Sequence, residues 1–263
     1  MRKTGFGLLL IAMLLMSCGS PDAPAEVAVP EEELLEDAPD VVEEPAGDLE
    51  AGLVRSEASG FCNNSFFPIR TDTVWHYQIS GEGEELTDYT ITFKDITDDS
   101  FTALQTFNDD LSIEARWDCN EDGLISAQFV NLIFSEAPEL DFETLSIDGV
   151  FLPPAEEWVV GTVWENAFEV GFTVSVEGLE ISSTFDINIQ NEITAIEPMT
   201  VPAGFYEEAV RVESTSTVVM AGFGETSVVV DFTSWYVEGV GLIRNVTSGD
   251  GEDVVMELIE LKQ

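Results

Sequence analysis

The chain is 263 residues long and carries 52 acidic against 9 basic residues, a formal charge of −43. So few cations cannot neutralise a run of phosphates, which excludes nucleic-acid binding and electrostatic adhesion to an anionic bilayer. The same surface suits solubility, cations or basic partners, and it fits a salt-rich habitat where screening relieves self-repulsion.

The chain begins "MRKTGFGLLLIAMLLMSCGS". Arg2 and Lys3 give a positive start. Gly5 to Met16 is apolar, too short for a stable spanning helix and the length of an export signal. Leu15-Met16-Ser17-Cys18 resembles the lipobox of bacterial lipoproteins, whose cysteine is acylated and becomes the N-terminus after cleavage. That resemblance implies a membrane anchor at Cys18. Each buried methylene contributes roughly 0.8 kcal/mol, and two or three acyl chains hold where one does not. The plainer alternative is an ordinary secretory signal in which Cys18 is incidental. The position of the cysteine, with Gly19-Ser20 opening a tether behind it, favours the lipobox. Losing Arg2 and Lys3 leaves seven bases against 52 acids, a formal charge of −45.

Residues 19–60 change character. Five of the eleven prolines lie here, and twelve acids fall between Asp22 and Glu50 with no Lys or Arg. Such a segment buries too little apolar surface to offset its ordering entropy, so it reads as a disordered acidic, Pro-rich linker. At roughly 3.1 Å per residue, some forty residues could lift a domain ~100 Å from a membrane.

Residues 61–263 contain all five tryptophans, enough for one large core or two small ones. Cys62 and Cys119 make an even pair outside the cytoplasm, and that favours a disulfide over two buried thiols. Closing their 57-residue separation would stabilise by roughly 4 kcal/mol in the chain-entropy picture.

Period-two patterning dominates. Trp75, Tyr77 and Ile79 alternate with His76 and Gln78. In "LEISSTFDINIQ", Leu179, Ile181, Phe185, Ile187 and Ile189 share a face. "SVVVDFTSWYV" and "VVMELIEL" are β-branched, and Gly-, Asp- and Ser-rich turns separate the runs. One short helix is expected within Ser135–Leu145. The fold class is mainly β, with antiparallel sheets as a sandwich or curved half-barrel.

A weak repeat divides it. Thr73-Val74-Trp75 returns as Thr162-Val163-Trp164, and Trp117…Gly123-Leu124-Ile125 returns as Trp235…Gly241-Leu242-Ile243. The half-repeats run about 66–150 and 151–263. "MTVPAGFYEEAVRVES" in the longer second half reads as strand–turn–strand.

"WDCNEDGLIS" reads two ways. Asp118, Asn120, Asp122 and Gly123 match the first, third, fifth and sixth positions of a calcium loop. However, the twelfth position, where a bidentate acid belongs, is Phe129. The repeat partner "WYVEGVGLIR" keeps Trp, Gly, Leu and Ile but has Tyr236 and Val240 where Asp118 and Asp122 stand. The shared part is therefore a hairpin with glycine at positive φ. Calcium on Asp118, Asn120 and Asp122 is the second reading.

No catalytic residues emerge. His76 is the lone histidine, which leaves no histidine pair for zinc, and no G-x-S-x-G elbow occurs. His76 reads as an exposed strand residue. A pair of carboxylates flanking a glycosidic bond is the one catalytic arrangement composition leaves open. Phe66, Phe67, Phe205 and Tyr206 could form a sugar or peptide platform, but packing the core is the favoured role.

Several pieces together resemble the TapB-like family of bacterial exported lipoproteins: "FFPIRTDTVWHYQI", "WDCNEDGLI", "MTVPAGFYEEAVRVES" and "SWYVEGVGLIR". The resemblance covers about Phe61 to Leu261. It implies a β-rich envelope domain and supplies no catalytic residues. The expectation is an exported, lipid-anchored protein at the cell surface or in the periplasm. It would present a non-catalytic binding or structural module, with no cofactor unless Ca²⁺. Its partners would be the membrane through its lipid and an unidentified protein, glycan or apolar ligand. The alternatives are a carrier holding an apolar ligand between curved sheets, a carboxylate-based glycan hydrolase, and a calcium-stabilised adhesin.

Overall fold

The computed structural model describes residues 56–81, 86–108, 111–127, 140–176, 179–220, 226–248 and 253–263. The expected leader, Cys18 and residues 19–55 of the linker lie outside the described residues, as does Phe129.

The strands are β1 (Val74–Ser80), β2 (Thr87–Lys94), β3 (Ser100–Phe107), β4 (Leu111–Asn120), β5 (Gly123–Ser126) and β6 (Leu140–Gly149). They continue as β7 (Val163–Val176), β8 (Leu179–Val201), β9 (Gly204–Met220), β10 (Thr226–Val237), β11 (Gly241–Ser248) and β12 (Asp253–Lys262). They form one sheet in the order β5-β4-β3-β2-β1-β12-β11-β10-β9-β8-β7-β6. Each strand lies antiparallel beside a sequence neighbour, and β12 closes onto β1 from Val74↔Lys262 to Ser80↔Val255. The two ends of the order meet just past β6, where Leu124 of β5 bridges Leu152. The result is a nearly closed, barrel-like meander. The mainly antiparallel expectation holds, and the sheet is a single curved one.

The alternation seen in the sequence sets its two faces. Trp75 and Tyr77 of β1, Tyr89 and Phe93 of β2, Phe101 and Ala103 of β3, and Ala115, Trp117 and Cys119 of β4 are buried inside. Their outward neighbours are mostly polar, Val74 and Leu104 being the exceptions. The interior is aromatic: Phe101 stacks on Trp117 at 5.7 Å, and Trp75 and Phe101 each meet Phe93 edge-on. Such contacts contribute roughly 0.5–1.5 kcal/mol each beyond area burial.

The barrel end at the β4–β5 turn is sealed by residues 56–73, which belong to no strand. Cys62, Ile69 and Thr73 are fully buried there, with Phe66 and Pro68 beside them. Phe66 lies flat on Trp158 at 4.2 Å. Ala58 is buried too, and Glu57 N–H donates to the Ile69 carbonyl at 2.7 Å, so the packed unit already includes Ser56–Gly60. The β8–β9 hairpin reaches the same end, where Ala203 N–H donates to the Leu258 carbonyl at 3.0 Å. "MTVPAGFYEEAVRVES" is that hairpin.

Beyond the aromatic core the long strands β7 and β8 bury a second cluster, Phe168, Val170, Ile187 and Ile189. Between the two clusters runs a buried polar row. Ser214 Oγ donates to Asn191 Oδ1 at 2.7 Å, Asn191 Nδ2 to Asn166 Oδ1 at 3.2 Å, and Asn245 Nδ2 to Ser234 Oγ at 2.9 Å.

The repeated motifs fall six strands apart. Trp75 opens β1 and Trp164 opens β7; Trp117 lies late in β4 and Trp235 late in β10. Trp117 pairs with Ser126 and Trp235 with Arg244, each nine residues on. The second half is longer because β7, β8 and β9 run 14, 23 and 17 residues against 7, 8 and 8 for β1, β2 and β3.

One expectation is corrected. Leu140–Leu145, read as part of a short helix, is the first half of β6 and pairs with β7 from Leu140↔Val174. Its neighbour strand supplies the hydrogen bonds a helix would have drawn from itself, and tertiary pairing overrides the mild helical propensity of Glu and Leu. Residues 135–139 lie outside the described residues.

Candidate functional site

"WDCNEDGLIS" is a hairpin. Trp117 to Asn120 end β4, Glu121 and Asp122 turn, and Gly123 to Ser126 form β5, with Asn120↔Gly123 the last pair. The Asn120 side chain closes the turn by accepting the Asp122 N–H at 2.9 Å. Asp118 faces Arg116 at 3.1 Å. Two of the three oxygen ligands of the calcium reading are thus engaged by the turn and by a cation. Gly123 has φ +135°, and a Cβ there would collide with the Leu152 carbonyl. The glycine is needed because the Leu152–Pro153 backbone passes directly over it.

Cys119 of this hairpin is bonded to Cys62 of the sealing segment, with Cα atoms 5.2 Å apart. The favoured disulfide is therefore present, and both cysteines are buried. It ties the barrel wall to its plug. Around it Asn64, itself buried, donates from Nδ2 to the Pro153 carbonyl at 2.9 Å and accepts Phe66 N–H at 2.9 Å. Gly239 N–H donates to the Ser65 carbonyl at 2.7 Å. The sequence reading missed Asn64 and Trp158 as parts of this lock. "CNNSFFPIR" lacks any period, and only the third dimension brings Trp158 beneath Phe66.

His76 lies on the outer face, opposite Glu260 on β12 and Thr90 on β2. Its Nε2 is 3.5 Å from Asp88 Oδ1. The shallow depression beside it, about 230 Å³, is lined by Thr90 and Thr106 and holds neither serine nor cysteine.

Of the four aromatic platform candidates, three pack inward. Phe66 stacks on Trp158, Phe67 contacts Phe93, Phe101 and Trp117, and Tyr206 is buried. Phe205, 61% exposed at the β8–β9 turn, stands alone outside.

The larger depression, about 310 Å³, is open and lies on the outer face of β6–β9. Two adjacent cross-strand rows line it: Ser146–Glu169–Asp186–Val219 and Asp148–Ala167–Asn188–Thr217. Glu169 stands directly opposite Asp186, and like charges so placed repel. No Lys, Arg or His occurs between Arg116 and Arg211, so β6, β7 and β8 carry no base to answer them.

The cations that are described all meet acids. Arg70 pairs with Asp72 at 2.6 Å, Lys94 with Glu114 at 2.6 Å, Arg211 with Glu213 at 3.1 Å, Arg244 with Glu257 at 2.9 Å and Lys262 with Glu260 at 2.9 Å. Arg244 also lies over the Trp235 ring, 5.7 Å from its centre. This pairing deepens the case against anionic ligands. Among the described residues no group of three or more His, Cys, Asp or Glu side chains is disposed to hold a metal.

The strongly displaced acids are phenols. Burial pushes Tyr77 well above the ordinary tyrosine value and raises Tyr89 likewise. It pushes Tyr236 up to about 12, against a hydrogen bond from Ser234 that lowers it. Tyr77 Oη donates to the Leu242 carbonyl at 2.8 Å. These are core groups kept neutral.

No family model matches the chain, and no curated protein matches it. Two solved structures share its fold. One, from Bacteroides fragilis NCTC 9343, is described as a putative exported protein with YmcC-like fold. It is 13% identical, with a TM-score of 0.51 over 76% of this chain and 100% of that one. The other, described as a putative lipoprotein from Parabacteroides distasonis ATCC 8503, is 16% identical, with a TM-score of 0.50 over 76% of this chain and 99% of that one. At such identities the likeness is one of fold.

Proposed function

We propose that this chain is a lipid-anchored protein of the bacterial envelope, held by Cys18, raised on an acidic stalk, and presenting a non-catalytic β domain for binding or architecture. The observation that carries the reading is Leu15-Met16-Ser17-Cys18 at the end of an apolar run, followed at once by an acidic, proline-rich sequence. The Cys62–Cys119 bridge supports it, because disulfides persist outside the reducing cytoplasm. The neighbours in fold, one described as exported and one as a lipoprotein, support it too, as does the motif resemblance to TapB-like lipoproteins. The non-catalytic part rests on the lone histidine, on cysteines committed to a bridge, and on an interior filled by aromatic side chains.

Metabolic labelling with a fatty-acid probe in a bacterial host tests the anchor. Wild type should take the label and sediment with membranes, and Cys18→Ser should lose the label and appear in the soluble exported fraction. An unlabelled wild type, or a Cys18→Ser protein that stays on the membrane, contradicts the reading.

A further inference from the structure

Residues 56–73 have no ladder of backbone bonds to the barrel they seal. Their ties are isolated ones. Phe61 N–H donates to the Asp98 carbonyl at 3.2 Å, Gly239 N–H to the Ser65 carbonyl at 2.7 Å, and the Asn64 side chain to Pro153 at 2.9 Å. Packing of Phe66, Pro68 and Ile69 adds to these. A segment attached at scattered points yields when it is pulled from one end, because the contacts take the load one after another.

We propose that the Cys62–Cys119 bridge is a mechanical clamp that carries tension from the N-terminal side directly into β4 and keeps the plug out of the load path. Cys62 stands near the start of the packed unit and its partner is two residues from the β4–β5 turn. Tension applied ahead of Cys62 crosses the two sulfurs to Cys119. Residues 63–73, the rest of the plug, lie inside the covalent loop and off this path. The load then enters a strand hydrogen-bonded to β3 from Phe107↔Leu111 to Ser100↔Asp118 and to β5 beyond. There many bonds share it. The use of this clamp against a membrane tether rests on the anchored reading; the load path itself does not.

Single-molecule force spectroscopy on the mature chain, held at its N-terminus and at Gln263, tests the clamp. Peeling residues 56–73 would release ~60 Å at roughly 3.3–3.6 Å per residue. The oxidised wild type should show no early step of that length. The C62S/C119S double variant should show one, at lower force than barrel rupture. The clamp is wrong if the double variant opens without that step or if the oxidised wild type shows it. Phe66→Ala with the bridge intact loosens the plug without freeing it, so it too should open without the early step; the step appearing there overturns the clamp. Failure of the anchor shows separately, in the Cys18→Ser fractionation.

Discussion

Tyr77, Tyr89 and Tyr236 sit inside the barrel as neutral phenols with values raised by burial. In the unfolded chain they ionise near pH 10, whereas the folded chain holds their protons longer. Above that pH the unfolded state binds fewer protons, so stability falls as pH rises. Their contribution is fully present below pH 10 and is lost as the pH climbs through their raised folded values, about 12 for Tyr236. Alkaline titration followed at once by phenolate absorbance and circular dichroism should therefore show these tyrosines ionising together with unfolding. Ionisation near pH 10 with the fold intact contradicts the burial.

Gly123 is as sharply determined. Gly123→Ala forces a side chain into a left-handed position against the Leu152 carbonyl. Strain of this kind costs about 1–3 kcal/mol, and displacement of the Leu124–Leu152 bridge adds to it. Urea unfolding should show a lowered midpoint. Gly161→Ala, with φ +92° but open space around it, should lose less. Equal losses would show that backbone strain alone matters.

At the scale of strands, the sequence told most where burial is one-sided. Trp75/Tyr77 against His76/Gln78 placed the two faces of β1 correctly, and Phe185, Ile187 and Ile189 do share the inner face of β8. The hairpin was separable from a calcium loop because "WYVEGVGLIR" kept its glycine without the two aspartates. The buried Asn166–Asn191–Ser214 row was not legible, because polar letters at inward positions look like an interrupted pattern until the neighbouring strands supply their partners. Leu140–Leu145 misled because its Glu and Leu favour helix until β7 supplies a pairing partner, and the plug left no periodic trace. Strand pairing also exposes two acid pairs: Glu192 opposite Glu213, which Arg211 relieves, and Glu169 opposite Asp186, with no base on either strand. Glu169→Lys replaces repulsion by an opposite-charge cross-strand pair worth roughly 0.2–1 kcal/mol. Thermal unfolding at low ionic strength should show the variant more stable than wild type, with the gain shrinking in molar salt. A gain that persists unchanged in salt would mean a packing effect.

Taken whole, the molecule joins an acid-rich surface to a barrel locked at one end. The chain's net charge of −43 keeps it away from anionic surfaces, so the membrane attachment proposed at Cys18 draws on lipid and not on charge. The packed unit starts within a few residues of Ser56, and the disulfide fastens it six residues later, where an incoming tether would pull. The six-strand spacing of Trp75/Trp164 and Trp117/Trp235 fits a barrel made from two related halves, which we offer as the origin of its symmetry. The intact mass of the mature protein, extracted from host membranes without reductant, tests this account most directly. The account predicts a chain that begins at Cys18, carries acyl and glyceryl mass on that residue, and is two hydrogens light from the Cys62–Cys119 bridge. A chain that begins elsewhere, or that carries no lipid, contradicts it.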